Sequence, residues 1–501
     1  MINRPEKNNN TNEYIMTAPP KFGSINAKTR GINVNKKRQL KRYLLGVVTL
    51  PIVYLTVSRF LCQKLGILLN GSIERTGNRK LHQAIIKNFW TLTQLRVQSG
   101  ALEGRSGQSS YGRVQATFCK IDWDLQIENP ALVPMFRDLE YKSRSCMATK
   151  TTTTNFSELV QEAKAFDGFD EKNPKTSRTG YVFPPNGVVF HETRCGSTLF
   201  ANLLSGFAPR ESRVYSESHP PLVALKACDY ISCDQDAHRA LIRDVFYMMG
   251  RRPPSHNREK QRRLFFKIQS IGAMYIDKYV LLGNPVSTRR HLSIDFRLIF
   301  FIFSFSSFAI ETHRLRFTMA LPEVPWVFVY RDTVEIIMSH LNQGTRTTPK
   351  VCSRYRWAPT YMQPPTTMKI IEEAGKSLGD VNLIEYCAAH IAGLSLSAVQ
   401  EHDRVDESNF PGGRFVNYQQ MPEIVWEKIL PEHFGVDILS PEAISNMEQL
   451  SGVYSKARGH RVDQDWVEDS TIKQNKATPD VIKAANLFAS KIYNRMKELS
   501  R

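Results

Sequence analysis

The stretch Val188-Val-Phe-His-Glu-Thr-Arg-Cys-Gly-Ser-Thr-Leu-Phe-Ala-Asn-Leu-Leu204 decides the fold. Val188 to Phe190 suits a buried strand, Gly196 permits a tight turn, and the apolar run from Leu199 suits a helix. Ser197 and Thr198 then lie at the positive end of a helix dipole, where backbone N–H groups attract an anion. The pattern GxxxxGK[ST] requires a lysine directly before the hydroxyl pair, and Gly196 stands there instead. The loop is therefore read as a phosphate-sized turn of another kind, with a plain strand–turn–helix corner as the alternative.

Working outward, the chain alternates strands and helices. Arg213–Tyr215, Leu264–Gln269, Trp326–Tyr330 and Arg414–Asn417 read as further strands, with helices expected from Thr333 and near Met421. Such alternation predicts an α/β fold with a parallel sheet covered by helices on both faces. Ligands of such sheets bind beyond the carboxyl ends of the strands.

The second anion signal is Trp326-Val-Phe-Val-Tyr-Arg-Asp-Thr-Val-Glu-Ile-Ile-Met-Ser-His340. Arg331 emerges at the tip of a strand and Ser339 follows about two helical turns later, a spacing that lets both meet one phosphate. A salt-bridged helix start is the alternative reading of Arg331-Asp332.

The two motifs together, in this order, resemble the sulfotransferase family. The loop Thr193, Arg194, Cys195, Gly196, Ser197 and Thr198 looks like its 5′-phosphosulfate motif, and Arg331 with Ser339 like its 3′-phosphate motif. Tyr418 resembles a strand-end tyrosine beside the adenine, and Lys456, Arg458 and Gly459 resemble a late basic loop over the 3′-phosphate. The resemblance covers about residues 181 to 495. It implies a fold related to the nucleotide kinases, 3′-phosphoadenylyl sulfate as co-substrate, and no metal.

The resemblance also frames the chemistry. Sulfuryl transfer is an in-line displacement in which charge grows on the bridging oxygen of the departing phosphate, so cationic groups belong there. Arg194 and Lys267 are the expected cations. Cytosolic relatives carry a histidine base two residues after that lysine, but this chain has Gln269, which cannot act as a base. Glu217 is therefore the expected base, similar to the glutamate of tyrosylprotein sulfotransferases, followed by His219, then His191 and Glu192. A nucleotide or metabolite kinase using ATP and magnesium is the first alternative, and a non-catalytic phosphate-binding scaffold the second.

Composition bounds these readings. The chain has 501 residues, 42% hydrophobic and 23% charged, which are globular values. Its formal charge is +19, of which residues 1–42 supply +8. The remainder is too diffuse for a nucleic-acid footprint, so no nucleic-acid partner is expected. The eight cysteines lack metal-site spacing, and Cys119 with Cys146, or Cys228 with Cys233, read either as disulfides or as buried thiols.

The expected organisation is a basic cytosolic tail (1–42), a signal-anchor transmembrane helix (43–63), a stem and linker (64–118), an extension (119–180) and a sulfotransferase domain (181–500). Seven Lys or Arg residues just before the apolar run, against Arg59 and Lys64 after it, put the tail in the cytosol and the rest in the lumen. A single-pass type II protein of the Golgi or endoplasmic reticulum is expected, acting on a hydroxyl of a glycan, protein tyrosine or small molecule. Residues 278–316, with the Phe/Ser-rich run Leu298–Ile310, interrupt the domain and read as a retained intron or a hydrophobic insertion.

Overall fold

The structure is a computed structural model. It describes residues 79–103, 111–169, 181–229, 233–253, 262–276, 317–341, 348–349, 352–405, 412–436, 439–453 and 468–501. The tail, the expected anchor and residues 278–316 lie outside the described residues. Among the described residues no helix is long and apolar enough to cross a membrane.

Two sheets organise the described residues. The first is antiparallel, with β1 (Thr91–Val97), β2 (Val114–Cys119) and β3 (Thr151–Thr153) in that order. The second holds β4 (Gly187–His191), β5 (Ser212–Ser216), β6 (Arg263–Lys267), β7 (Trp326–Tyr330) and β8 (Gly413–Asn417). Its order is β5-β6-β4-β7-β8, and every pairing is parallel. All residues of β4, β5 and β7 are buried, the signature of strands covered on both faces. Fully buried Trp326, Phe190, Phe265 and Phe266 fill the layers beside the sheet.

The helices that position the site and its surroundings are α1 (Phe156–Asp167), α2 (Ser197–Gly206), α3 (His219–Lys226), α4 (Gln235–Gly250), α5 (Thr333–Leu341), α6 (Leu383–Val405) and α7 (Ser470–Asn475). After β4 the chain leaves through α2 for the edge strand β5, and after β7 it leaves through α5 and α6 for the opposite edge, β8. The strand order thus reverses between β4 and β7, which pair from Val188↔Trp326 to His191↔Val329. A crevice at the carboxyl ends of such a pair is where open α/β sheets hold ligands.

One expectation is corrected. The composition of residues 79–118 suggests stem and linker, but 79–87 are helical and β1 and β2 build the antiparallel sheet. Leu92, Leu95, Val114, Ala116 and Phe118 are buried there. The basic and glycine-rich run from Gln98 to Arg113 masks this short hairpin, whose bulge between Leu92 and Gln94 also breaks simple alternation.

The expected extension docks on the parallel sheet. Gln126 donates its amide to the Val214 carbonyl at 2.9 Å and accepts from the Val214 N–H at 3.1 Å, covering the free edge of β5. Disulfides join Cys119 to Cys146, Cys228 to Cys233, and Cys352 to Cys387. The last pair has no counterpart among the sequence expectations.

Candidate functional site

The loop after β4 makes its turn with two residues of positive φ, Arg194 at 60° and Gly196 at 86°. Gly196 caps α2, and Ser197 and Thr198 form its buried first turn. A Cβ on Gly196 would lie 2.4 Å from Cδ2 of Tyr418, so the tyrosine at the tip of β8 packs directly on the loop and only glycine fits. Arg194 Nε donates to Ser339 Oγ at 3.1 Å, and Thr193 Oγ1 lies 3.3 Å from His340 Nε2. Helix α5 therefore holds the outer side of the loop. Cys195 is buried, its thiol donates to the Glu192 carbonyl, and burial pushes it up to about 12, so it serves as packing.

On the other side of β4, the tips of β5 and β6 bring Glu217 and Lys267 together. Lys267 is wholly buried and places Nζ 2.5 Å from Glu217 Oε1, while Glu217 keeps 28% of its side chain exposed. The Lys267 ammonium has Met135 Sδ as a second neighbour at 3.9 Å, so the extension lines this part of the site. Glu217 adopts φ 55°, rare for a residue with a side chain. Its N–H donates to the Lys267 carbonyl at 2.7 Å and its own carbonyl accepts from Gln269 Nε2 at 3.3 Å. Gln269, which cannot be a base, thus fixes the backbone of the residue expected to be one.

His191, the last residue of β4, joins this cluster with Nε2 3.7 Å from Glu217 Oε1 and Nδ1 2.6 Å from the Glu192 carbonyl. His219 stands exposed on the first turn of α3, where partial desolvation lowers its pKa and Glu140 acts in the opposite direction. Glu217, Lys267 and His191 are brought together.

At the tip of β7, Arg331 and Ser339 are held by different partners. The Arg331 guanidinium donates to Glu335 Oε2 at 2.5 Å, Asp469 Oδ1 at 2.7 Å and Ser470 Oγ at 2.9 Å, and lies 3.9 Å over the Tyr418 ring. Desolvation lowers its pKa, but hydrogen bonds to Glu335 and Asp469 outweigh that and raise it. Glu335 is buried, whereas Asp469 keeps 42% of its side chain exposed. Lys473 of α7 also grips Asp469, at 2.6 Å. Tyr418 is therefore caught between Gly196 and Arg331, joining the tips of β4, β7 and β8. Lys456, Arg458 and Gly459 lie outside the described residues.

Glu192, the last of the expected bases, and residues that sequence reasoning passes over complete the site. Glu192 is buried, with Oε2 accepting the Arg331 N–H at 2.9 Å and Oε1 accepting the Ser395 hydroxyl at 2.5 Å. It cross-links the two loops at the switch point to α6. Burial pushes its carboxyl up to about 8, against the lowering effect of both hydrogen bonds. Glu335 has a signal, since it stands four residues after Arg331 on one helical face. Ser395, Asp469 and Ser470 come from remote segments and have none.

No family model matches the chain, and no curated protein matches it. Among solved structures it is similar to the sulfotransferase domain from the curacin biosynthetic pathway, with 13% sequence identity and a TM-score of 0.28, over 64% of this chain and 98% of that domain. That likeness is too loose to assign a family.

Proposed function

We propose that this chain is a sulfotransferase that moves a sulfuryl group from 3′-phosphoadenylyl sulfate to an acceptor hydroxyl on a glycan, protein tyrosine or small molecule. The observation that carries the reading is the Glu217–Lys267 pair, a carboxylate open to solvent against a fully buried ammonium, beside a glycine loop at the switch point of a parallel sheet.

In this reading the acceptor hydroxyl attacks sulfur in line with the bridging oxygen, and the bond from sulfur to that oxygen breaks. The hydroxyl proton passes to Glu217. Lys267 and Arg194 offset the negative charge that develops on the leaving phosphate oxygen. Ser197 and Thr198, at the positive end of α2, hold the 5′-phosphate. Arg331 meets the 3′-phosphate by exchanging exposed Asp469 for it while keeping buried Glu335.

The setting fits a luminal enzyme. Three disulfides suit an oxidising compartment, and the basic segment before the apolar run of residues 43–57 suits a type II anchor in a Golgi or endoplasmic reticulum membrane. The test is calorimetric binding followed by an acceptor screen with labelled sulfate donor. Tight binding of 3′,5′-adenosine bisphosphate without magnesium, together with sulfate transfer, is the expected result. Preference for ATP with magnesium would overturn the reading in favour of a kinase.

A further inference from the structure

A second concentration of positive charge lies at the other end of the parallel sheet. Arg213 and Arg263 occupy the amino ends of β5 and β6, whereas Glu217 and Lys267 follow or end the same strands. Four strand steps separate Arg213 from Glu217, roughly 13 Å at the rise of a β-strand. This region is thus distinct from the candidate active site.

Arg252 is its centre. It is 8% exposed, its guanidinium carbon lies 3.3 Å from the centroid of the Phe183 ring, and its Nε has no hydrogen-bond partner among the described residues. Arg213 is equally buried, stacks over Trp123 at 4.5 Å, and donates from Nη1 to the Arg251 carbonyl at 3.3 Å. Arg263 pairs with Glu211 at 3.3 Å, and Arg262 stands exposed beside it. Arg251 is neutralised separately by Asp167, at 2.6 and 2.8 Å. Among the described residues, the charges that act on Arg252 are those of Arg213 and Arg262, both of its own sign.

A buried guanidinium is ordinarily matched by an anion, because stacking on an aromatic ring replaces only part of its lost hydration. Desolvation, then Arg213 and Arg262, depress Arg252 to about 9, as expected where compensation is missing. Phe183, Arg213, Gly250, Arg252, Arg263 and Leu264 line a recess of about 10 Å³. That is space for about one oxygen atom. An oxyanion would insert one oxygen and leave the others at the mouth, near Arg262 and Arg263.

We propose that Arg252, Arg213, Arg263 and Arg262 form a binding site for an oxyanion of the phosphate or sulfate class, separate from the donor crevice. The site is independent of the reaction assigned above. The like charges gathered on Arg252 favour a multiply charged group over a carboxylate.

The test uses the full chain at constant ionic strength, with inorganic phosphate, inorganic sulfate and acetate as probes and thermal unfolding and calorimetry as readouts. Phosphate or sulfate should raise the midpoint saturably while acetate does not. In Arg252→Met, which keeps an apolar stem against Phe183, affinity should fall at least tenfold, and the variant should be at least as stable as wild type without phosphate. The exposed change Arg262→Gln should weaken binding about threefold without touching the core, so the proposal stays testable if Arg252→Met does not fold. Arg194→Gln, in the donor loop, should leave this binding event intact. Equal phosphate responses in wild type, Arg252→Met and Arg262→Gln would overturn the site, as would loss of the response in Arg194→Gln alone.

Discussion

Lys267 is completely buried and its ammonium is 2.5 Å from the Glu217 carboxylate, which alone of the two reaches solvent. The pair thus presents one face to an incoming hydroxyl and keeps its cation on the protein side. Glu217→Gln retains an oxygen for Lys267 but removes the base, so kcat should fall by about 10²- to 10⁴-fold with little change in acceptor KM. Lys267→Met should cost about 10²- to 10³-fold in kcat by removing charge stabilisation. Steady-state kinetics with the labelled donor check both. A Glu217→Gln enzyme with full turnover would remove Glu217 from the mechanism. Alanine is the poorer probe, because it strands a buried ammonium without its partner.

Asp469 competes for the guanidinium that is proposed to hold the 3′-phosphate. Its 42% exposed side chain makes it the exchangeable partner, unlike Glu335 at 2%. Asp469→Asn removes the competing charge, and at about 1 kcal/mol for a partly exposed ion pair it should tighten 3′,5′-adenosine bisphosphate about fivefold. Arg331→Ala should abolish that gain. Calorimetric titration of the variants decides the point, and weaker binding in Asp469→Asn would show that the carboxylate orients Arg331 instead.

Glu192 makes stability depend on pH. Its folded carboxyl is pushed up to about 8, whereas an unfolded glutamate titrates near about 4.3. The folded state therefore holds the proton longer, so this contribution is fully present below the unfolded value and is lost as pH rises through the folded value. The slope should approach about 1.4 kcal/mol per pH unit between roughly pH 5 and 8. Glu192→Gln keeps an acceptor for the Arg331 N–H and a polar partner for Ser395 but does not titrate. Chemical denaturation of both proteins at several pH values should show the variant gaining on wild type as pH rises. Parallel profiles would refute this account.

The parallel sheet is legible in the sequence because its strands are short apolar runs closed by turn and cap residues, as in Val188 to Gly196 and Trp326 to Thr333. The hairpin of β1 and β2 is not, because polar Thr91, Thr93 and Thr117 are buried in it and a basic loop surrounds it. Local spacing reveals Arg331 and Ser339 but not their partners. Asp469 lies 138 residues from Arg331, and Ser395 lies 203 from Glu192. Polar partners brought together only by tertiary folding leave no periodic trace. The same holds for Gln126, whose contact with Val214 spans 88 residues.

Cys352 and Cys387 illustrate that limit and supply the last test. Nothing in their local sequence pairs them, yet the disulfide joins the chain segment after α5 to buried Cys387 near the start of α6, the helix that delivers Ser395 to Glu192. The bond closes a separation of 35 residues. Loop-closure entropy for that length gives about 4 kcal/mol of stabilisation. Replacing both cysteines by serine should lower stability by about 2–4 kcal/mol, the lower value applying if the unfolded chain stays compact. The seating of α6 on Glu192 should loosen with it, so amide exchange around Ser395 should accelerate more than exchange in β4. If exchange at the two places rises equally, the disulfide stabilises the domain as a whole and does not act through α6.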